Sequence, residues 1–99
     1  MFGLTNEELQ IIIDIINLHP QINEALIFGS RALNTYKKGS DIDIALKGIE
    51  IATITATISG ILNEETPLPY FFDVLDYNLI NNEELKNHID RMGQQIYKK

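Results

Sequence analysis

Residues 41–46 constrain the fold of this 99-residue chain more than any other segment. Large aliphatic side chains alternate there with Asp41, Asp43 and Ala45, so an extended chain places the two sets on opposite faces. The aliphatic face has to be covered, because removing it from water is favourable. The chain therefore has to contain a β-sheet with at least one face packed against other elements.

Apolar spacing predicts the other elements of a single domain that spans residues 1–99. A capping box formed by Thr5 and Glu8 opens a helix whose isoleucine-rich stripe ends before Pro20. The remaining predicted elements are a strand at 25–28, one or two helical turns at 31–35, the strand at 41–46, a helix at 50–63, a strand at 70–75 and a final helix. Asn81 is the predicted N-cap of this last helix, whose apolar stripe consists of Leu85, Ile89, Met92 and Ile96. This order predicts an α/β (α+β) fold, a small mixed β-sheet of three or more strands with helices packed mainly on one face.

The composition excludes several classes of function. Acidic residues outnumber basic ones 14 to 8, and the net charge of −6 argues against generic nucleic-acid binding, which needs a basic surface. The chain has no cysteine, so disulfides, thiolate catalysis and cysteine-ligated zinc are excluded. No apolar run approaches the roughly 18 residues that span a bilayer, and the N-terminus lacks the pattern of a signal peptide. We therefore expect a cytoplasmic protein with no membrane association.

Asp41 and Asp43 are the strongest candidates for chemistry. Two positions apart on a strand, their side chains emerge on one face with Cα atoms about 6.5–7 Å apart. Like charges so close repel each other, and a divalent cation relieves the repulsion. Oxygen ligands with no cysteine or histidine nearby favour Mg²⁺ or Mn²⁺ over zinc. The alternative is that both aspartates lie on the solvated face of an edge strand, where charge opposes aggregation.

Gly29 and Ser30 directly follow the predicted buried strand at 25–28. If they open a helical turn, their backbone N–H groups are free to meet an anion, and the serine hydroxyl adds a donor. A Gly-Ser pair alone is usually only a turn, but a phosphate cradle just ahead of a metal-binding pair is a more specific combination. Neither His19 nor His88 has a metal-ligand neighbour at helical spacing, and His88 is placed off the apolar stripe of the last helix, so neither is assigned a site.

The blocks Gly-Ser-Arg-Ala at residues 29–32 and Gly-Ser-Asp-Ile-Asp-Ile-Ala-Leu at residues 39–46 resemble the motif of the DNA polymerase beta nucleotidyltransferase superfamily, most closely its minimal nucleotidyltransferases (MNT type). The resemblance implies the nucleotidyltransferase fold and a third metal carboxylate on a neighbouring strand, for which Asp73 is the matching position. Asp73 and Asp76 are an odd number of residues apart, so only one of them can face the pair, and Asp76 is the alternative ligand. On this basis Asp41, Asp43 and Asp73 are the predicted catalytic residues and the ligands of two Mg²⁺ ions, with Mn²⁺ as a possible substitute.

The same resemblance assigns the phosphates of a bound NTP to Gly29, Ser30 and Arg31. Arg31 has an equally weighted alternative, as the exposed first residue of a helical turn. Many small members of the superfamily continue the first block with Arg-Gly, whereas this chain has Leu33 and Asn34, so one phosphate-side cation is missing. This departure argues against strong triphosphate binding by the chain alone.

The resemblance implies a Mg-dependent nucleotidyltransferase that moves a nucleotide, expected to be AMP from ATP, to an acceptor hydroxyl and releases pyrophosphate. Minimal nucleotidyltransferases are often paired with helical HEPN-type proteins in toxin–antitoxin modules, where they can modify the partner. The alternative function is an antitoxin-like binding subunit that neutralises a helical partner with little or no catalysis. The isoleucine-rich first helix carries more apolar surface than one contact needs, and so predicts either a HEPN-type partner or a homo-oligomer.

Overall fold

The computed structural model describes all 99 residues and contains three α-helices and four β-strands. In chain order they are α1 (Asn6–Asn17), β1 (Ile22–Phe28), β2 (Ile42–Gly48), α2 (Ala52–Glu64), β3 (Phe72–Asp76), α3 (Glu83–Met92) and β4 (Gln94–Lys98). Two short 3₁₀ turns, Gly29–Arg31 and Tyr77–Leu79, follow β1 and β3. No helix is both long enough and apolar enough to cross a bilayer.

The four strands form one mixed sheet in the order β3-β2-β1-β4. β2 runs parallel to β3, whereas β1 is antiparallel to both β2 and β4. Helix α2 connects β2 to β3. It returns the chain to the end of the sheet at which β2 begins, which two parallel neighbouring strands require. The predicted mixed sheet of the α+β class is confirmed.

Helices cover both faces of the sheet, with two of the three on one side. The larger core lies between the sheet and helices α1 and α2, and includes Ile12, Ile58 and the aliphatic face of β2. On the opposite face α3 packs Ile89 against a smaller cluster that contains Phe28 and Ala45. Because Ala45 shares its face of β2 with Asp43, α3 crosses the same face of the sheet that carries the predicted acidic site.

The N-terminal capping box has the predicted geometry. The Glu8 backbone N–H donates to Thr5 Oγ1 at 3.1 Å, and the Thr5 backbone N–H donates to Glu8 Oε1 at 2.9 Å. The isoleucines of α1 do not form a free apolar surface, since Ile12 and Ile16 are fully buried and none of the others is exposed. This helix therefore gives no support of its own to the predicted partner interface.

The prediction for the last helix is wrong at both ends. Its N-cap is Asn82, whose side chain accepts from the Leu85 backbone N–H, and not Asn81. The helix ends at Met92, so Ile96 lies on β4. Gly93 permits the break, because a Cβ at this position would meet the Ile89 carbonyl oxygen at 2.5 Å. The residues after it pair with β1, whose second edge would otherwise be open.

Candidate functional site

The parallel pairing of β2 with β3 brings the predicted carboxylates together. Asp43 lies directly opposite Asp73 in the register, and residues opposite each other in a sheet present their side chains on the same face. Asp41 precedes β2 by one residue and lies two positions from Asp43, which places it on this face as well. The three aspartates named from the sequence thus share one face at one end of two neighbouring strands.

Asp76 does not take part in this group. It is the last residue of β3, and its carboxylate accepts from the Asn78 backbone N–H at 3.0 Å. It caps the 3₁₀ turn that follows the strand, in the way that aspartate side chains commonly stabilise turns. Of the two alternatives left by the sequence, Asp73 is the one placed beside Asp43.

The electrostatics of this group centre on Asp43. Partial burial raises the pKa of the Asp43 carboxyl, and the charges of Asp73 and then Asp41 raise this pKa further. His88 acts in the opposite direction and lowers it. Asp43 is half-buried, whereas Asp41 and Asp73 are exposed. The site therefore concentrates negative charge around a partly desolvated carboxylate, which a cation would stabilise in its ionised form.

The donor set fits a hard divalent cation, although the side chains do not form a ready-made cluster. All three candidate ligands are carboxylates, which are the oxygen donors that Mg²⁺ and Mn²⁺ prefer. No group of three or more His, Cys, Asp or Glu side chains is arranged in the structure to hold a metal ion. Metal ligation by Asp41, Asp43 and Asp73 consequently stays a prediction, supported by their shared face and by the charge on Asp43.

Gly29 lies against this acidic group. Its φ of +73° is in the left-handed region, and a Cβ built on it would fall on Oδ2 of Asp43. Only glycine therefore fits, both for the backbone conformation and for the close approach of the Asp43 side chain. A 3₁₀ turn begins at Gly29, two residues before the helical turns that the sequence predicted at 31–35.

The backbone N–H of Gly29, which the sequence assigns to a phosphate, has a protein partner in the structure. It donates to Nε2 of His88 on α3 at 2.9 Å. Ser30 follows in the same turn, and its carbonyl accepts from the Thr35 backbone N–H at 2.9 Å. Gly29 and Ser30 are thus placed next to the carboxylates, as the phosphate-binding hypothesis requires, but one of the expected donors is shared with an imidazole.

Arg31 fits neither of the roles considered for it. Its side chain is only 4% exposed, so it is not a solvated residue at the start of a turn. The guanidinium donates to the carbonyls of Phe2 and Ser40 at 2.9 and 2.8 Å, and lies 4.8 and 5.1 Å from the ring centres of Tyr36 and Tyr70. Its two terminal nitrogens donate to carbonyls inside the protein and the side chain is buried, so Arg31 holds the loop ahead of Asp41 in place, and its assignment as a direct phosphate ligand is corrected.

His88 is the site residue that the sequence reasoning missed. Besides its contact with Gly29, its ring lies edge-on to Phe28, with ring centres 6.2 Å apart. The signal was present in the spacing, since Leu85, His88 and Ile89 occupy positions i, i+3 and i+4 of α3 and therefore lie on one side of the helix. Placing His88 off the stripe was wrong, because the stripe was counted through apolar residues only.

Comparison with known families decides the identity of the fold. A family model described as "Polymerase beta, Nucleotidyltransferase" matches residues 10–99. The chain belongs to the polymerase beta nucleotidyltransferase family. The predicted membership of the superfamily is thus confirmed. No curated protein matches the sequence significantly.

Several similar solved structures come from toxin–antitoxin systems. A toxin–antitoxin structure with AMP-PNP superposes with a TM-score of 0.73 at 22% identity, covering 96% of this nucleotidyltransferase and 75% of that chain. The MntA-HepT toxin–antitoxin structure gives 0.71 at 18% identity, covering 96% and 74%. A tri-AMPylated HEPN toxin from Shewanella oneidensis in complex with MNT antitoxin gives 0.67 at 19% identity, covering 92% and 70%. At these identities the likeness establishes a shared fold.

Proposed function

We propose that this nucleotidyltransferase transfers AMP from ATP to a hydroxyl group of a helical HEPN-type partner protein and releases pyrophosphate. The observation that carries the proposal is the register of β2 against β3, which sets Asp43 opposite Asp73 with Asp41 on the same face. One similar structure is a toxin–antitoxin with AMP-PNP, and another is a tri-AMPylated HEPN toxin in complex with MNT antitoxin, which supports the choice of nucleotide and partner. The cytoplasm is the proposed location.

The three carboxylates would divide the work between cation binding and proton removal. Asp41 and Asp43 would hold the divalent cations, with Asp73 contributing to the one beside the acceptor. The chemistry expected of Mg²⁺ or Mn²⁺ held there, in the two-ion arrangement, would be neutralisation of charge on the phosphates and on the attacking oxygen. Asp73, which is exposed on the edge strand β3, would accept the proton of the incoming hydroxyl.

The turn after β1 would position the β and γ phosphates. Gly29 allows a close approach of backbone to phosphate, and the Ser30 hydroxyl adds a donor. Arg31 would contribute indirectly, since its hydrogen bond to the Ser40 carbonyl fixes the residue just before Asp41 relative to this turn. The turn after β1 and the segment that carries the acidic pair are in this way joined by a buried hydrogen bond.

The second candidate function is a binding subunit that neutralises the same partner with little or no catalysis. Two observations favour it: the carboxylates form no ready-made metal cluster, and the Gly29 N–H is already hydrogen-bonded to His88. Both functions predict a complex with a HEPN-type protein, and they differ in whether Asp41 and Asp43 are needed for any effect on that partner.

A transfer assay separates the two. Purified protein is incubated with Mg²⁺, ATP labelled on the α-phosphate and a HEPN-type protein encoded by a neighbouring gene, and pyrophosphate release is followed in parallel. Catalysis predicts labelled partner in the wild type and at least a hundredfold loss in Asp41→Asn and Asp43→Asn, since removing transition-state charge stabilisation has effects of about that size. Asp14→Asn, an exposed aspartate on α1, is the matched control. Equal labelling by wild type and both site variants would refute the proposal.

A further inference from the structure

We infer that His88 is a positioning residue that holds the phosphate-binding N–H of Gly29 until the triphosphate of a nucleotide displaces it. The inference rests on the proposed function, because it takes Gly29 to be a phosphate contact. Its starting point is one hydrogen bond, from the Gly29 backbone N–H to His88 Nε2 at 2.9 Å, which joins residues 59 positions apart in the sequence.

The hydrogen bond and a phosphate contact exclude each other. An amide N–H donates one hydrogen, and a good hydrogen bond needs near-linear geometry, so the Gly29 N–H cannot serve an imidazole and a phosphate oxygen equally well. For Nε2 to accept, it must be the unprotonated nitrogen of a neutral imidazole. A phosphate oxygen that takes this N–H therefore has to move the His88 ring away from it.

The surroundings of His88 differ from those of a fully buried histidine. Its edge-on contact with Phe28, at 6.2 Å between ring centres, positions it at the end of β1. The ring is only partly buried, and it also borders a shallow open depression on the surface of α3, beside Glu84 and Arg91. The ring is therefore not enclosed by the core of the protein.

The hydrogen bond has a consequence for nucleotide binding. Gly29 touches the side chain of Asp43, so the turn that His88 contacts adjoins the acidic group. Because the imidazole competes with a phosphate for the Gly29 N–H, it lowers the affinity for the nucleotide by the free energy of the bond that has to be broken.

The experiment combines NMR with nucleotide titration of the full chain. The chain has only two histidines, so the imidazole nitrogen signals of His88 can be separated from those of His19. We expect the wild type to show a pyridine-type, hydrogen-bonded Nε2 on His88, which is lost when MgATP is added while the Gly29 amide signal moves. His88→Ala and His88→Leu should bind MgATP between about twofold and tenfold more tightly, which is the value of one net hydrogen bond. His88→Leu retains an apolar contact with Phe28 should the alanine variant fold poorly, and His19→Ala is the matched control.

Each outcome decides one of the two claims. If the wild type binds MgATP and the His88 variants bind it equally or more weakly, the inference about His88 is overturned while the proposed function stands. A His88 signal that does not change on addition of MgATP overturns it as well. If no form of the protein binds MgATP, the proposed function fails and the inference fails with it. Tighter binding by both variants, together with the movement of the Gly29 amide signal, supports the displacement.

Discussion

Replacing Arg31 with alanine is expected to destabilise the fold severely, even though Arg31 touches none of the three aspartates through a hydrogen bond. The guanidinium is 4% exposed and donates to two backbone carbonyls, those of Phe2 and Ser40. Hydrogen bonds that involve a charged group contribute about 1.5–3 kcal/mol each. The contacts with the rings of Tyr36 and Tyr70 add about 0.5–1 kcal/mol each.

Simple addition of these contributions overestimates the effect. The contacts share one side chain, so their contributions to the free energy of unfolding are not independent. The Nε atom of Arg31 is also buried without a hydrogen-bond partner. Replacing the arginine therefore removes a desolvation penalty along with the favourable contacts. We therefore expect a loss of about 3–5 kcal/mol in the free energy of unfolding. For a domain of this size that corresponds to a fall in Tm of roughly 15–30 °C.

The measurement is urea unfolding followed by circular dichroism, with Tm from a thermal scan. Arg31→Lys should be intermediate, because a lysine ammonium carries the charge but lacks the planar fork that reaches two carbonyls at once. Arg91→Ala removes an exposed arginine of α3 and should change stability by no more than about 0.5 kcal/mol. A loss below about 1 kcal/mol in Arg31→Ala, or wild-type stability in Arg31→Lys, would show that the buried contacts do not carry the proposed weight.

Three further predictions follow from the same geometry. Gly29→Ala and Gly39→Ala both place alanine at positive φ (+73° and +85°), and both should lose about 1–2 kcal/mol of stability by thermal unfolding. Only the alanine at position 29 also collides with Asp43, so only this variant should lose nucleotide binding. Asn63→Ala should cost about 1–2 kcal/mol in urea unfolding, since the Asn63 amide pairs with both the N–H and the carbonyl of Phe72 at the open edge of β3, at 2.8 and 3.0 Å. Asp43→Asn should raise Tm at pH 7. The folded-state pKa of Asp43 lies above its ordinary value of 3.8, so the ionised carboxylate destabilises the fold at neutral pH. The gain in Tm of the variant over wild type should vanish as the pH falls towards 3.8. An Asp43→Asn variant that is less stable than wild type at pH 7 would contradict the assigned direction.

The parts of the fold that the sequence predicts well depend on local patterns. The capping box at Thr5 and the strand predicted at 41–46 were found because a cap spans three residues and a strand alternates every second residue. The same period of two allows only one of Asp73 and Asp76 to face the pair, and the register sets Asp73 opposite Asp43, whereas the role of Asp73 as a metal ligand stays a prediction. These features need no knowledge of the rest of the chain.

The errors concern features that depend on distant residues. β4 was predicted as part of a helix because its pairing partner, β1, lies about seventy residues earlier in the chain. The burial of Arg31 could not be predicted either, since the carbonyls that compensate its charge belong to Phe2 and Ser40. The spacing from Leu85 and Ile89 indicates the side of α3 on which His88 lies, but its partner, the Gly29 backbone N–H 59 positions away, could not be predicted.

The placement of the buried arginine bears directly on the acidic site. Arg31 lies only two residues after Gly29, yet its guanidinium binds carbonyls and not the carboxylates of Asp41 or Asp43. The one ion pair of the chain joins Lys47 to Glu24, so none of the three site aspartates has a salt-bridge partner. An arginine against Asp43 would stabilise the folded chain, but it would also neutralise the carboxylate and compete with a divalent cation for it. Keeping the two charges apart leaves the acidic group dependent on a counter-charge from outside the protein, which is the condition that cation-dependent phosphate chemistry requires.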